Sequence, residues 1–347
     1  MTNQTYRAAV IGCGGRGEDH VKAYELIDNA NVVACCAPTG RRRDPLAAKY
    51  GLSAYADAAE MIRREKPDIV HIATRPDVRV EPMTVVAELG VPLCTVEKPI
   101  ALGAADWRRL CELEKSSPTR FAVCHQTRWN PHLETCRRAV RSGELGRPLF
   151  LHLSAGMNIA GQGTHTLNYG LSLIGDPDVT AVFGNACGWD IRDTSHPAPE
   201  TTVACLTLAG GVQALWTTGR VSPRCGDPNT VHQHVRAGAC CEHGRVEWQQ
   251  FGRWEVVRDG RVEAGRCYTD GQQFAANWIQ EQAAFHRAMF DWLEDDSRPA
   301  GTNLGRSLHE WAVVLALYQS ALARRPIEMV SFDPPDDLVD RYRRSLV

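Results

Sequence analysis

Apolar residues along this chain fall into two different rhythms. From Ala8 to about Cys124 they gather in short unbroken runs, Ala8–Ile11, Asn31–Cys36, Ile69–Thr74, Val91–Val96 and Phe121–Cys124. Stretches with apolar positions three and four apart, such as Glu18–Asp28 and Val80–Leu89, lie between them. Continuous apolar runs alternating with helical spacing predict parallel strands buried on both faces and covered by helices. Asn130 and Pro131 then carry the signal of a helix start, and Gly143 and Gly146 that of its end. Beyond them the period changes to two, over 149–153, 179–183, 201–208, 212–218, 231–236 and 253–258, which predicts antiparallel strands. A helical pair closes the pattern from Ala275 to Ala323, broken by Arg298-Pro299. The seven-residue spacing of Trp278, Phe285 and Trp292 reads there as a core stripe. The reading is an α/β chain with a doubly wound domain over 1–124 and a second α/β domain, on an open and mainly antiparallel sheet, over 125–347.

Composition narrows the classes. The 347 residues are 44% hydrophobic and 23% charged with a formal net charge of -2, as in a folded domain pair that does not seek nucleic acid or an anionic membrane. With no long apolar run and no leader pattern, the expectation is a cytoplasmic protein. Thirteen cysteines, without a C-x-x-C pair, then read mostly as small buried hydrophobes. His232, His234, Cys240, Cys241 and His243 crowd together, but their spacing fits no standard zinc module, and no metal is expected.

The first candidate site is the glycine turn after the first strand, Gly12-Cys13-Gly14-Gly15-Arg16-Gly17. Gly12 suits a tight turn, Gly14 a close approach of backbone to a pyrophosphate, and Gly17 close packing of helix on strand. The helix that follows turns free N–H groups toward the phosphates. At the end of the second strand an acidic residue would bind a ribose 2′-hydroxyl, but the residue is Ala37. Thr39, Arg41, Arg42 and Arg43 follow, a hydroxyl and three guanidinium groups suited to a 2′-phosphate, so NADP is expected over NAD. The chain holds five lysines against 34 arginines, which makes Lys98, in a loop leaving a strand's carboxyl end, a choice of ammonium over guanidinium.

The stretches 10–17, Ile72-Ala73-Thr74, Glu97-Lys98-Pro99-Ile100-Ala101 and Arg128-Trp129-Asn130-Pro131 together resemble the Gfo/Idh/MocA oxidoreductases, and Gly161-Gln162-Gly163-Thr164-His165 extends the likeness. The resemblance implies a Rossmann domain followed by an α/β domain whose open sheet serves oligomer contacts, here a dimer or tetramer. It implies that Ala73, Thr74, Glu97, Lys98 and Gln126 line the cofactor alongside Gly12, Gly14, Gly15, Arg16 and Gly17. It makes Lys98 the residue that bonds substrate hydroxyl and cofactor, and His165 the acid or base, a role its near-neutral pKa allows. Arg128, Trp129, Asn168 and Tyr169 join them as substrate contacts, an aromatic face and a guanidinium being suited to a sugar.

This chain departs from the family pattern at Gly161 and Asn168, where many members carry Asp, and at Arg75 and Arg79, whose charge hints at an acidic or phosphorylated ligand. The expected activity is interconversion of a secondary alcohol and a ketone on a sugar, inositol or related polyol. The alternatives are a redox-neutral enzyme that cleaves or eliminates with a tightly held nicotinamide, and a nucleotide sensor without turnover.

Overall fold

The apolar run at the N-terminus becomes strand β1 (Tyr6–Ile11), the centre of a six-stranded parallel sheet. The computed structural model describes residues 5–191, 193, 195–227, 229–268 and 270–346. The other strands of that sheet are β2 (Ala30–Cys36), β3 (Ser53–Tyr55), β4 (Ile69–Ile72), β5 (Leu93–Glu97) and β6 (Arg120–Cys124), in the order β3-β2-β1-β4-β5-β6. Order reverses between β1 and β4, the place where such sheets open a crevice at their carboxyl ends. Helices α1 (Gly15–Ala23), α2 (Gly40–Tyr50), α3 (Ala58–Glu65), α4 (Val80–Glu88) and α5 (Ala104–Ser116) connect the strands. Val10, Cys13, Val21, Cys35, Leu46 and Ala47 form one of the buried clusters that hold α1 and α2 to the strands.

The chain divides into two compact units, and the division is not a single cut. The first unit takes residues 1–101 and 108–127 and then 275–308; the second takes 102–107, 128–274 and 309–347. The returning segment contains most of α8 (Gly271–Glu294) and the start of α9 (Leu304–Ala323), so the helical pair does not lie wholly in the second domain. It completes the first unit's core. Tyr6 stacks on Phe290 at 4.7 Å, and the Val123 amide donates to the Thr302 carbonyl at 2.8 Å. Phe285 and Trp292 are buried as the stripe predicts, but Trp278 is half-exposed, with the Arg16 guanidinium 4.9 Å above its ring.

The second unit is built on a nine-stranded sheet, β14-β13-β12-β11-β7-β10-β9-β8-β15. Its strands are β7 (Pro148–Ala155), β8 (Val179–Cys187), β9 (Thr201–Leu208), β10 (Gln213–Gly219), β11 (Val235–Cys241), β12 (Gly244–Gln249), β13 (Arg253–Arg258), β14 (Arg261–Arg266) and β15 (Ile327–Glu328). Every pairing is antiparallel except β7 with β10. One face buries Leu151, Leu153, Leu206, Trp216, Ala237 and Trp248. On it lie α6 (Pro131–Arg141) and α7 (Thr164–Leu173), α6 capped by the Asn130 side-chain oxygen Oδ1, which accepts the His132 and Leu133 amides. A short helix, α10 (Leu338–Arg344), ends the chain. The opposite face exposes Phe183 and Val203.

The expected strand at 231–236 is corrected by the structure. Val231–Gln233 is a 3-10 turn, and β11 begins only at Val235. His234 explains the difference: its Nδ1 accepts the amides of Cys225 (3.0 Å) and Gly226 (3.1 Å), which ties the approach to the strand to a neighbouring loop. His232 and His234 therefore do not share a strand face. Of the thirteen cysteines, eight are buried, while Cys187 and Cys205 are exposed.

Candidate active site

In the first unit the glycine turn is built as its sequence requires. Gly12 has φ +102°, and a Cβ there would lie 2.7 Å from the Ala73 carbonyl oxygen. A Cβ on Gly17 would lie 1.9 Å from the Gly12 carbonyl oxygen. Neither position tolerates a side chain. Gly14 is the N-cap of α1 in extended conformation, and nothing lies within 4 Å of a Cβ on Gly15, so open space remains above the helix start. The Ala73 turn lies against this loop, and the Thr74 hydroxyl is buried without a hydrogen-bond partner among the described residues. An open glycine cradle beside an unpaired hydroxyl fits a dinucleotide.

Arg42 belongs to the same place, for its Nη1 lies 3.4 Å from the Cβ position of Gly14. Thr39 and Arg41 are exposed nearby on the chain. Arg43 is otherwise engaged, its Nη1 donating to the Ala37 carbonyl (3.1 Å) and its Nε to Asp44 (2.7 Å).

The Arg16 and Glu97 side chains point into the unit. Arg16 donates to Glu97 Oε1 through Nη2 (2.7 Å) and to Asp19 through Nη1 (2.8 Å), and it also reaches Gln282 (2.9 Å). What Arg16 leaves for a cofactor is its backbone N–H at the helix start, since its guanidinium is committed to Glu97. Burial alone would raise the Glu97 pKa, but the Arg16 charge and a bond from His20 (3.1 Å) hold the carboxyl well below its ordinary range. Gln126 is buried at the end of β6, its side-chain oxygen accepting a weak bond from the Cys124 thiol at 3.5 Å.

Behind Glu97, His20, His71 and His286 form a stack that sequence reading does not anticipate. Their ring centroids are 4.4–5.2 Å apart and their planes within 26° of parallel. Burial pushes all three pKa values down, so they are neutral at pH 7. Their nitrogens lie close enough to be considered for a metal, as do His20, Glu97 and Cys124. These nitrogens are engaged with one another and with the core: His20 Nδ1 lies 3.0 Å from His286 Nε2, and His71 bonds Tyr24 (2.7 Å) and Thr95 (2.6 Å). The Arg16 charge occupies the second group. Both are hydrogen-bonded core.

Lys98 follows Glu97 in a half-buried loop and precedes a cis peptide to Pro99. Its neighbour in space is Arg79, which is 1% exposed and donates through Nη1 to the Glu97 and Pro99 carbonyls and through Nη2 to the Thr74 carbonyl at 2.8 Å. Burial lowers the Arg79 pKa to about 10. The expectation that Arg75 and Arg79 offer charge to an acidic ligand is thereby corrected. Arg79 faces backbone, and Arg75 pairs with Asp77 at the surface (3.2 Å).

The second unit holds His165 on the first turn of α7. Tyr169, one turn on, brings its hydroxyl to His165 Nδ1 at 3.1 Å. Arg128 and Asn168, expected at the substrate, are instead buried in support of α7. Arg128 is bidentate on Asp176 (3.0 and 2.6 Å) and reaches the Asn168 side-chain oxygen (3.2 Å), whose amide donates to Glu310 (2.8 Å). Trp129 is half-buried. Gly161 lies in a π-helical turn, Ile159–Gly163, and a Cβ built on it would lie 3.5 Å from Asp193 Oδ2. A carboxylate thus stands beside the turn before His165, supplied from a distant loop and paired with His196 (3.0 Å).

Fold and cradle together define a nicotinamide-dinucleotide type of Rossmann unit joined to a mixed-sheet α/β unit. Residues 6–125 match the profile described as "Oxidoreductase family, NAD-binding Rossmann fold". Over those residues the chain is similar to the Gfo/Idh/MocA oxidoreductases, and the match spans about a third of its length. It is 32% identical to a D-apiose dehydrogenase of Paraburkholderia graminis over 155 residues, 44% of this chain and 41% of that protein. It is 27% identical to an inositol 2-dehydrogenase of Saccharopolyspora erythraea over 263 residues, 71% and 74% of the two chains. The first of these alignments spans about two fifths of the relative's length. In fold it is similar to an oxidoreductase from Agrobacterium radiobacter crystallised with NAD+, L-tartaric acid and magnesium, with a TM-score of 0.80 and 19% identity over 94% of this chain and 99% of that one.

Proposed function

We propose that this chain is an NADP(H)-dependent oxidoreductase that interconverts a secondary alcohol and a ketone on a sugar, inositol or related polyol. The observation that carries the reading is the meeting of three loops at one sheet edge: the glycine cradle, the Ala73-Thr74 turn against it, and the Lys98 loop tied to Thr74 by Arg79. A nicotinamide, when bound, accepts or returns a hydride. The chain's part is to hold the reacting C–H against it, to stabilise charge on the oxygen and to move the proton.

Lys98 supplies the charge. Its ammonium donates to the substrate oxygen and stabilises the alkoxide as the hydride leaves carbon. His165 takes the hydroxyl proton through Nε2, because Nδ1 is bonded to Tyr169, and returns it in the reverse direction. Trp129, Tyr169 and Asp193 are the further groups assigned to substrate.

Arg42 beside Gly14, with Ala37 in place of an acid, supports a 2′-phosphate. The outer face of the nine-stranded sheet, which exposes Phe183 and Val203, is assigned to contact between copies of the chain in a cytoplasmic homo-oligomer.

The test is titration of the purified protein with NADP and NAD by fluorescence, followed by a screen of inositols, D-apiose and other sugars at the absorbance of the reduced nicotinamide. Tighter binding of NADP and turnover of a polyol support the reading. Binding of neither nucleotide overturns it.

A further inference from the structure

Arg79 is a buried cation that, among the described residues, has no carboxylate paired with it. Burying a guanidinium is costly unless its N–H groups find acceptors; those of Nη1 and Nη2 do, while Nε has none among the described residues. Its acceptors are three backbone carbonyls, those of Thr74, Glu97 and Pro99. Two of them lie immediately before and after Lys98. One planar group therefore grips both flanks of the Lys98 loop and fastens them to the turn that packs on Gly12. The Glu97 side chain is held separately, by Arg16 and His20, so without Arg79 the loop would remain anchored on its strand side and lose its hold at Pro99. A lysine could not substitute, because its three donors radiate from a single atom, whereas a guanidinium spreads its donors over a rigid fork.

We propose that Arg79 is a positioning residue, which locks the Glu97–Lys98–Pro99 loop onto the Thr74 turn so that the Lys98 ammonium is held where the substrate oxygen meets the cofactor. The proposal rests on the reading of Lys98 given above. It assigns Arg79 no contact with substrate. A shift of about 1 Å in a reacting group can lower turnover on the order of 100-fold, and that is the loss expected when the fork is removed.

The experiment uses the full chain and the variants Arg79→Gln, Arg79→Lys, Lys98→Ala and Lys98→Ala/Arg79→Gln. Turnover is followed on a polyol that the unsubstituted protein oxidises, and NADP affinity by titration. In parallel, trace acetic anhydride labels the lysines, and peptide mass spectrometry reads Lys98 against the other four. Arg79→Gln should lower kcat about 100-fold while KM and cofactor affinity change by less than about threefold. In the Lys98→Ala background the same substitution should lower kcat by no more than about twofold, since the group it positions is gone. Labelling of Lys98 alone should change severalfold.

Equal losses with and without the Lys98 amine, or unchanged Lys98 labelling, would overturn the proposal. Absence of turnover on every polyol defeats the reading of Lys98 as the oxygen-polarising group, and labelling then decides the role of Arg79 by itself. Should Arg79→Gln fail to fold, Arg79→Lys, which keeps a cation in place, carries the labelling test with the same two outcomes.

Discussion

Arg128 holds Asp176 through both ends of its guanidinium, Nη1 to Oδ1 at 3.0 Å and Nη2 to Oδ2 at 2.6 Å. Asn168 also faces this arginine but brings no charge; the carboxylate comes from eight residues further on, at a position with φ +59°. The pair is largely buried, so removing one partner leaves the other's charge unpaired. Asp176→Asn and Arg128→Ala should each destabilise the protein by about 3 kcal/mol, and the double variant by less than the sum. Urea unfolding of the four proteins gives the answer.

The proposed preference for NADP is tested at the end of β2. Ala37→Asp combined with Arg41→Ala and Arg42→Ala should weaken NADP by at least tenfold and improve NAD, because an acid repels a 2′-phosphate and accepts from a 2′-hydroxyl. Arg43→Ala should change the NADP/NAD ratio little, since its guanidinium holds the Ala37 carbonyl and Asp44. Nucleotide titrations measure both.

Proton transfer is assigned to His165. His165→Ala should lower kcat by about 100-fold or more with cofactor affinity unchanged, the usual size of a general acid–base contribution. Tyr169→Phe removes the bond at Nδ1 and should cost about tenfold, and Asp193→Asn a similar factor. Wild-type kcat in the Asp193 variant would take that carboxylate out of the site.

The histidine stack makes stability depend on pH. His20, His71 and His286 are kept neutral in the folded unit by burial, so the unfolded chain binds more protons than the folded one below about pH 6.5. Stability is full above that value and falls as pH drops, by up to about 1.4 kcal/mol per pH unit for each histidine. Melting temperatures measured from pH 7.5 to 5.5 should decline, and the decline should be shallower in His286→Gln.

Local pattern carried five of the six strands of the first sheet, the glycine turn and the capped start of α6, because period, apolar runs and turn residues are written in neighbouring positions; β3, three residues long and unburied, has no apolar run to announce it. What eluded it is nonlocal. Helical spacing told that Phe285 and Trp292 face a core, but not that the core belongs to the first unit. Arg79, Arg43 and Arg128 look like their exposed counterparts in sequence, and only the carbonyls and carboxylates around them separate a clamp from a ligand contact. Asp193 lies far along the chain from Gly161, so no motif could join them. A run such as 231–236 alternates like a strand, yet the ring of His234 accepting two loop amides settles its start.

The return of residues 275–308 also sets an order of events during synthesis. When residue 127 has been made, the sheet is complete in strands, yet Tyr6 lacks Phe290, the His20 and His71 rings lack His286, and the Val123 amide lacks Thr302. At about 5–20 residues per second, the ribosome takes on the order of ten to thirty-five seconds to supply them. Through that interval the nascent nucleotide unit waits with an apolar side open, in the care of whatever chaperones attend the ribosome, and a gene cut after the last parallel strand would encode an unfinished domain.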